Sequence, residues 1–370
     1  MKNYNCYIHI PFCSSKCKYC RFASFWITQK LQIQNYVNFL LNEINSWKKH
    51  WNILDTIYFW WWTPWVLSIS NFEEILTTLK NNYIFSNDIE ISIETTPENV
   101  TIENLSWWKK LWINRISMWV QTLNEKSLKE IDRAGKWDIL KALDNIKIEW
   151  FDNVSIDFII WLPYVSNWEI NENIDFLLNK YSFIKHVSVY MLEEYYDVPE
   201  NKESKFDNIT YPDSWHKTWI SLDDYSKEYI SIKNNLEKYN FNRYEISNYS
   251  KKWYECKHNQ WYWSHKEVIA YWLWAYWYLD NIRYSNSESF LDYYSWKNIS
   301  TAVVNKNDIF IEKIMFTIRT SWIDISYLDK LDKEKIDYFV ENWYIKKESN
   351  KIILSDSWIV YMDYILWEIL

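Results

Sequence analysis

The sequence predicts an α/β chain: a parallel sheet or α/β barrel, followed by a smaller α+β module that looks like a winged helix. Three observations carry this. Up to about residue 192, six short apolar segments of strand type alternate with segments of helical period across short links, which is the pattern of parallel βαβ units. From Asp308 the pattern changes to helical segments and a hairpin-like pair. The chain has 370 residues, enough for one large domain plus a smaller one.

Taken in order, Cys6 to Ile10 is a short apolar strand. Leu31 to His50 places Leu31, Ile33, Tyr36, Val37, Leu40, Leu41 and Ile44 at helical spacing. Leu54 to Phe59 is the second strand. Asn71 is placed to cap a helix running to about Tyr83. Ile89 to Glu94 alternates as a strand, Ile102 to Leu111 is helical, and Arg115 to Val120 is the fourth strand. Helices near Glu125 to Asp132 and Asp138 to Ile148 lead to the strand Val154 to Ile159. A helix over Glu169 to Tyr181 precedes the sixth strand, His186 to Leu192. Glu194 to Pro212 is polar and reads as a long surface loop. Leu222 to Tyr239 is helical, Arg243 to Ser247 is a further strand, and Ser250 to Leu279 is dense in aromatics with two histidines. The terminal module has helices at Ile309 to Arg319, Ile325 to Leu331 and Lys333 to Glu341. The pair Tyr344 to Glu348 and Lys351 to Leu354 follows, then a helix from about Ser357. The expected division is 1–240, 241–300 and 301–370.

Net charge is −8, from 41 basic and 49 acidic residues, and no basic block stands out; this argues against a nucleic-acid partner. No apolar run approaches the length of a membrane span, and the first residues lack a signal-peptide pattern. Five cysteines, three of them clustered, do not make a disulfide framework. The expected setting is the reducing cytoplasm.

One feature of the composition is abnormal: 28 tryptophans and one glycine. Glycine makes up about 7% of an average chain, roughly 26 residues at this length. Local context agrees. Phe59-Trp60-Trp61-Trp62-Thr63-Pro64 follows a strand, where a loop backbone should approach a ligand and a Cβ would intrude. Glu341 to Ile345 reads E-N-W-Y-I, where a helix end calls for glycine. The expectation is that most tryptophan letters stand for glycine in the organism. A UGA codon read as glycine by the cell but written as tryptophan by the standard table would produce this.

Cys13, Cys17 and Cys20 sit in a loop directly after the first strand, at C-x3-C-x2-C spacing. Three thiolates this close can hold an iron–sulfur cluster at three of its irons. A four-iron cluster takes four ligands, so three leave one iron open to a bound molecule. This strand-then-loop arrangement, with Tyr19 before the last cysteine, resembles the radical S-adenosylmethionine (radical SAM) superfamily. The wording Y-x-H-I-P-F-C, from Tyr7 to Cys13, resembles the branch that holds the oxygen-independent coproporphyrinogen III oxidase HemN and the haem chaperone HemW. That resemblance implies an incomplete (β/α)6 barrel, TIM-like, with the C-terminal module as an appendage, a [4Fe–4S] cluster on Cys13, Cys17 and Cys20, and bound SAM.

The same resemblance implies the SAM contacts, which mostly fall where strands end, as reacting groups do in α/β barrels. Tyr7 and Tyr19 flank the cysteines. Trp60-Trp61-Trp62-Thr63-Pro64 resembles the family's GGGTP, so Trp61, Trp62 and Thr63 would face SAM, with the first two as glycines. Glu94 lies in I-E-T-T-P, near the family's E-x-N-P, with Thr96 departing from the usual Asn. Gln121 ends R-I-S-M-W-V-Q, which fits R-x-S-x-G-V-Q with Trp119 as glycine. Arg133 resembles the family's arginine after the next helix, and Asp157 lies in D-F-I-I-W-L-P, close to D-x-x-x-G-L-P. SAM carries a sulfonium, an ammonium, a carboxylate and a ribose diol. Carboxylates suit the hydroxyls and cations, and Arg133 suits the carboxylate.

His258-Asn259-Gln260-Trp261-Tyr262-Trp263 matches H-N-x-x-Y-W, associated with HemW-type haem binding. The resemblance implies His258 as an axial ligand of haem, a role neutral imidazole performs well. The plain alternative is a structural histidine in an aromatic core. Trp263 is read as a true tryptophan, Cys256 as a bystander, and His265 as a weaker candidate. Tyr271 to Ala275 resembles the family's G-x-G-A segment.

Two functions lead, with a radical enzyme for some other substrate as a third, since the cluster motif reports only the cofactor. One is a HemW-like haem chaperone that binds haem, cluster and SAM and delivers haem to acceptor proteins, membrane-associated respiratory proteins among them. The other is an oxygen-independent coproporphyrinogen III oxidase, decarboxylating its substrate by a radical route. The oxidases read C-x3-C-x2-C-x-C, whereas Phe22 stands at the last position here. The cysteines begin at residue 13, with no room for the oxidase's longer N-terminal extension. These features and the H-N-x-x-Y-W motif favour the chaperone.

Overall fold

The computed structural model describes residues 1–13, 17–20, 25–26, 30–47, 52–61, 67–192, 222–273, 275–287, 289–295, 300–320 and 322–370. The expected surface loop at 194–212, and Trp62 and Thr63, lie outside the described residues.

Six parallel strands form the framework: β1 (Asn3–Ile10), β2 (Ile53–Trp61), β3 (Ile84–Thr95), β4 (Arg115–Gln121), β5 (Val154–Ile160) and β6 (Ile184–Met191). Between them run helices α1 (Lys30–Ser46), α2 (Ile69–Asn82), α3 (Ile102–Lys110), α4 (Glu125–Glu130), α5 (Lys136–Ile148) and α6 (Glu169–Lys180). The six-repeat α/β expectation is met, and the strands are in sequence order across the sheet. Side chains on these strands alternate. Cys6, Ile8 and Ile10, Ile57 and Phe59, Ile91 and Ile93, and Ile116 and Met118 are buried in the shared hydrophobic core. The residues between them are largely polar: Asn5 and His9, Thr56 and Tyr58, Glu90 and Glu94, Arg115 and Ser117, Ser155 and Asp157, His186 and Ser188. With period 2, one face packs against helices and the other lines a polar interior.

The cap of α2 differs from expectation. Ser68 is the N-cap, and Asn71 at the third helical position completes a reciprocal capping box. The strand expected over Arg243 to Ser247 is split instead, into Asn242–Arg243 and β7 (Asn248–Ser250), which pair antiparallel.

After α7 (Leu222–Lys238) the chain extends the sheet at both edges. β7 pairs antiparallel with β6, and β8 (Val268–Tyr271) pairs parallel with β1 on the opposite side. Between them lies α8 (Lys257–Trp263). β9 (Tyr276–Leu279), β10 (Ile282–Ser285) and β11 (Ser300–Val303) continue outward from β8. The short helix α9 (Phe290–Tyr294) brings Tyr293 to Glu43 of α1, whose carboxylate also accepts from Asn286 and from the Trp272 backbone. Burial pushes the Glu43 carboxyl up to about 7.

The terminal module has α10 (Lys306–Arg319), α11 (Lys333–Glu341) and α12 (Met362–Ile369) around an antiparallel sheet. Its strands are β12 (Trp322–Asp324), β13 (Ile345–Glu348) and β14 (Lys351–Leu354), in the order β12-β14-β13. β12 was not read from the sequence, being three residues long beside a single apolar centre.

Among the described residues, fifteen non-glycine residues have positive φ, and seven are tryptophan: Trp112, Trp150, Trp161, Trp168, Trp253, Trp272 and Trp343. Three of them close helices in the same way. Trp112 N–H donates to Lys109 O and Ile113 N–H to Trp108 O; Trp150 and Phe151 repeat this on Lys147 and Ile146; Trp343 and Tyr344 repeat it on Val340 and Phe339. Each is a Schellman ending whose left-handed position favours glycine.

Candidate cofactor site at the barrel mouth

The cysteine loop follows β1 and is held over the ends of the neighbouring strands. Cys17 and Cys20 are buried together against Trp119, and Cys20 N–H donates to Cys17 O at 3.0 Å in a tight turn. Cys13 lies in a two-residue strand, Phe12–Cys13, paired with Phe25–Trp26; its side chain, like that of Trp61, lies outside the described residues. Arg133, just past α4, reaches back with Nη1 3.5 Å from Cys17 Sγ and Nη2 donating to Trp119 O at 3.0 Å. A buried guanidinium thus sits directly against the cysteine loop.

Gln121 explains how the last turn of β4 serves the site. It has φ 65°, and the β4–β5 register shifts between Trp119 and Gln121. That bulge re-aims the side chain, and Nε2 donates to Tyr19 OH at 2.8 Å. The strained backbone is consistent with a functional position. Burial raises the Tyr19 hydroxyl far above its ordinary value, so it stays protonated.

Deeper in the mouth, Glu94 at the end of β3 accepts from Tyr58 OH at 2.5 Å. Burial pushes its carboxyl up to about 8, with Asp157 opposing ionisation and Tyr58 assisting it. Asp157 accepts from Ser117 and Ser155, and burial moves it up to about 6. Tyr7 OH pairs with His9 Nδ1 at 2.8 Å on the same interior face. Among the described residues, the buried oxygens without a hydrogen-bond partner include two at the mouth, Glu94 Oε2 and Gln121 Oε1. Buried oxygens are normally satisfied, so these two fit a ligand that brings N–H or O–H groups, as SAM does.

The structure brings Tyr7, Tyr19, Glu94, Gln121, Arg133 and Asp157 to one end or the upper interior of the sheet. His258 lies below them, its ring 6.3 Å from that of Tyr7. Its Nδ1 pairs with Thr56 Oγ1 at 2.7 Å, its ring stacks on Tyr58 at 4.9 Å, and Asn5 Nδ2 donates to its carbonyl. Thr56 and Asn5 lie toward the starts of their strands, so α8 forms a floor at the opposite end from the cysteines. The residue is 7% exposed, and burial drops its imidazole to about 3, neutral at any working pH. With Nδ1 engaged by Thr56, Nε2 is the ring nitrogen that remains for the expected haem-ligand role. Cys256 faces Glu90 across 3.5 Å in the same floor, which agrees with a bystander. His265 is occupied elsewhere, 2.8 Å from Glu312 of α10. Sequence reading missed Tyr58, Glu90 and Thr56, whose only signal is their inward place in the strand alternation.

The parallel α/β sheet carries thiols, an arginine and unpartnered acceptors at its strand ends, and residues 7–177 match the radical SAM superfamily. The haem chaperone HemW of Lactococcus lactis is 31% identical, over 76% of this chain and 71% of its own. HemW of Bacillus subtilis is 29% identical over 76% and 72%. The solved structure of coproporphyrinogen III oxidase (HemN) from Escherichia coli superposes with a TM-score of 0.80 at 16% identity, covering 98% of this chain and 89% of that one. The chain belongs to the HemW/HemN family of radical SAM proteins. Among the described residues, no helix is long and apolar enough to cross a membrane.

Proposed function

We propose that this chain is a cytoplasmic haem chaperone of the HemW type. It holds a [4Fe–4S] cluster on Cys13, Cys17 and Cys20, binds SAM at the barrel mouth, and passes haem to acceptor proteins, membrane-associated respiratory proteins among them. The observation that carries the cofactor part is the grouping of Cys17, Cys20 and Arg133 with the unpartnered oxygens of Glu94 and Gln121. Bound SAM and cluster supply one-electron chemistry; the residues here supply thiolates, a guanidinium that steadies Cys17, and acceptors for the amino and hydroxyl groups of SAM. Trp61, Trp62 and Thr63 take part through their backbone, the first two as glycines. Phe22, in place of a fourth cysteine, favours chaperone over oxidase.

The test is anaerobic reconstitution of the glycine-corrected chain, followed by haem titration, transfer to an apo-acceptor, and a separate assay with coproporphyrinogen III. Haem binding and transfer without decarboxylation support the chaperone. Turnover of coproporphyrinogen III assigns the chain to the oxidases instead.

A further inference from the structure

We propose that Tyr58 and His258 are positioning residues for Glu94, so that the H-N-x-x-Y-W segment braces the SAM site from below. This rests on the radical SAM reading of the mouth. Thr56 and Tyr58 are on the same face of β2. His258 engages both, one by its Nδ1 and the other by ring stacking. Tyr58 then spans to β3 and donates to Glu94 Oε1. This leaves Oε2 as the carboxylate oxygen without a partner. The helix carrying His258 is fixed by the same strand: Glu90, four residues before Glu94, accepts from Lys257 N–H and His258 N–H. The far end of the motif faces the other way. Tyr262 and Trp263 pack on Phe316 of α10, and Arg319 lies over the Trp263 ring. The segment therefore links the terminal module, the floor and the SAM-facing carboxylate.

The experiment uses the cluster-reconstituted full chain and reads SAM affinity by calorimetry, together with iron and sulfide content. Tyr58→Phe removes only a hydroxyl from a fully folded ring site. It should weaken SAM binding roughly tenfold, the scale of a hydrogen bond to an ionised group, with cluster content unchanged. His258→Ala should weaken SAM binding as well, and His258→Phe, which keeps a stacking ring, should restore most of it. SAM affinity unchanged in Tyr58→Phe overturns the proposal, as does SAM affinity unchanged in His258→Ala. Failure of the unsubstituted chain to take up cluster or SAM is a different result, and it removes the radical SAM reading itself.

The backbone carries a second proposal independently: we infer that Trp112, Trp150, Trp161, Trp168, Trp253, Trp272 and Trp343 are glycines in the protein the cell makes. Left-handed φ at a bulky residue is strained, and seven such positions on one residue type is the distribution of glycine. Trp150, Trp253 and Trp343 hold their indoles 86%, 82% and 76% exposed, so no packing offsets the strain. Trp161 and Trp272 bury an indole N–H with no acceptor, a cost glycine does not carry. Trp272, at φ 111°, fills a slot between His9 and Tyr36 that glycine would leave open. Fragment masses of the protein purified from its source decide it at each position. Glycine at the three Schellman positions supports the assignment, and tryptophan there overturns it.

Discussion

Arg133 Nη1 lies 3.5 Å from Cys17 Sγ, while its Nη2 holds Trp119 O at the end of β4. One side chain thus ties the cysteine loop to the strand whose last residue, Gln121, holds Tyr19 of the same loop. Replacing Arg133 by alanine leaves a buried thiol without its cation and a carbonyl without its donor. Charge-assisted bonds of this kind contribute about 1.5–3 kcal/mol each. We expect Arg133→Ala to take up less iron than the parent under identical reconstitution and to bind SAM at least tenfold more weakly. Iron and sulfide assays with calorimetry check both. Lysine restores charge but not the two-pronged reach, and should recover only part.

The framework of the barrel was legible because strand and helix periods are strong signals, and the mouth was legible because its motifs are contiguous: Cys13 to Cys20 in a loop, Gln121 at a strand end. The floor was not. Glu90, Arg115 and His186 look like scattered polar residues in apolar strands, and only the sheet register shows them converging with Cys256 and His258 from a segment more than 60 residues further along. The H-N-x-x-Y-W motif names His258 but carries no information about which end of the barrel α8 covers. The helix endings show the opposite case. Trp343 in E-N-W-Y-I was read as a glycine position from sequence alone, and its φ of 65° has the left-handed geometry that reading requires.

Glu94 gives a pH dependence with a definite sign. Burial raises its folded pKa from 4.5 to about 8. The cofactor-free folded chain keeps the proton through that window while the unfolded chain loses it. Stability from this group is therefore fully present below about 4.5 and is lost as pH rises toward 8, by an order of a few kcal/mol. Glu94→Gln removes the dependence, so the variant should be the more stable of the two at pH 8, and the gap should shrink toward pH 5. Urea midpoints of the cofactor-free proteins at the two pH values test this. Tyr58→Phe should push the loss to higher pH, because the phenol stabilises the ionised form. Trp60, Trp119 and Asp157 also act on Glu94, with Tyr7 and Tyr190 nearby, and none of these changes in the variant.

The terminal module is clasped to the barrel sheet through Glu312. His265 Nε2 is 2.8 Å from its Oε2, and Arg283 of β10 pairs with Oε1. The Glu312 and His265 side chains are largely buried, so the bridge is screened less than a surface pair. Glu312→Ala leaves His265, which packs on Tyr278 and Phe316, without its carboxylate, and the half-exposed Arg283 unpaired. We expect a loss of about 2 kcal/mol, seen as a lower denaturant midpoint, and faster proteolysis between β11 and α10 than elsewhere.

Trp150 offers the most direct stability test, because its geometry isolates backbone from packing. It follows α5 at φ 57°, its N–H and that of Phe151 close the helix onto Lys147 and Ile146, and its indole is 86% exposed. Substituting glycine in the literal tryptophan-containing chain removes no buried contact. It relieves the left-handed strain, worth about 1 kcal/mol. The unfolded chain gains freedom from the same change, which offsets part of that. We therefore expect Trp150→Gly to raise stability by up to about 1 kcal/mol, with Trp112→Gly and Trp343→Gly behaving alike, since all three share the same closing bonds. The sites lie on separate helix ends with no shared partners, so their effects should add. A triple variant read by urea melts should gain roughly the sum of the singles. If Trp150→Ala stabilises as much as Trp150→Gly, the gain comes from removing an exposed indole and not from backbone conformation. Alanine keeps the Cβ that the left-handed region penalises, and should recover almost none of it.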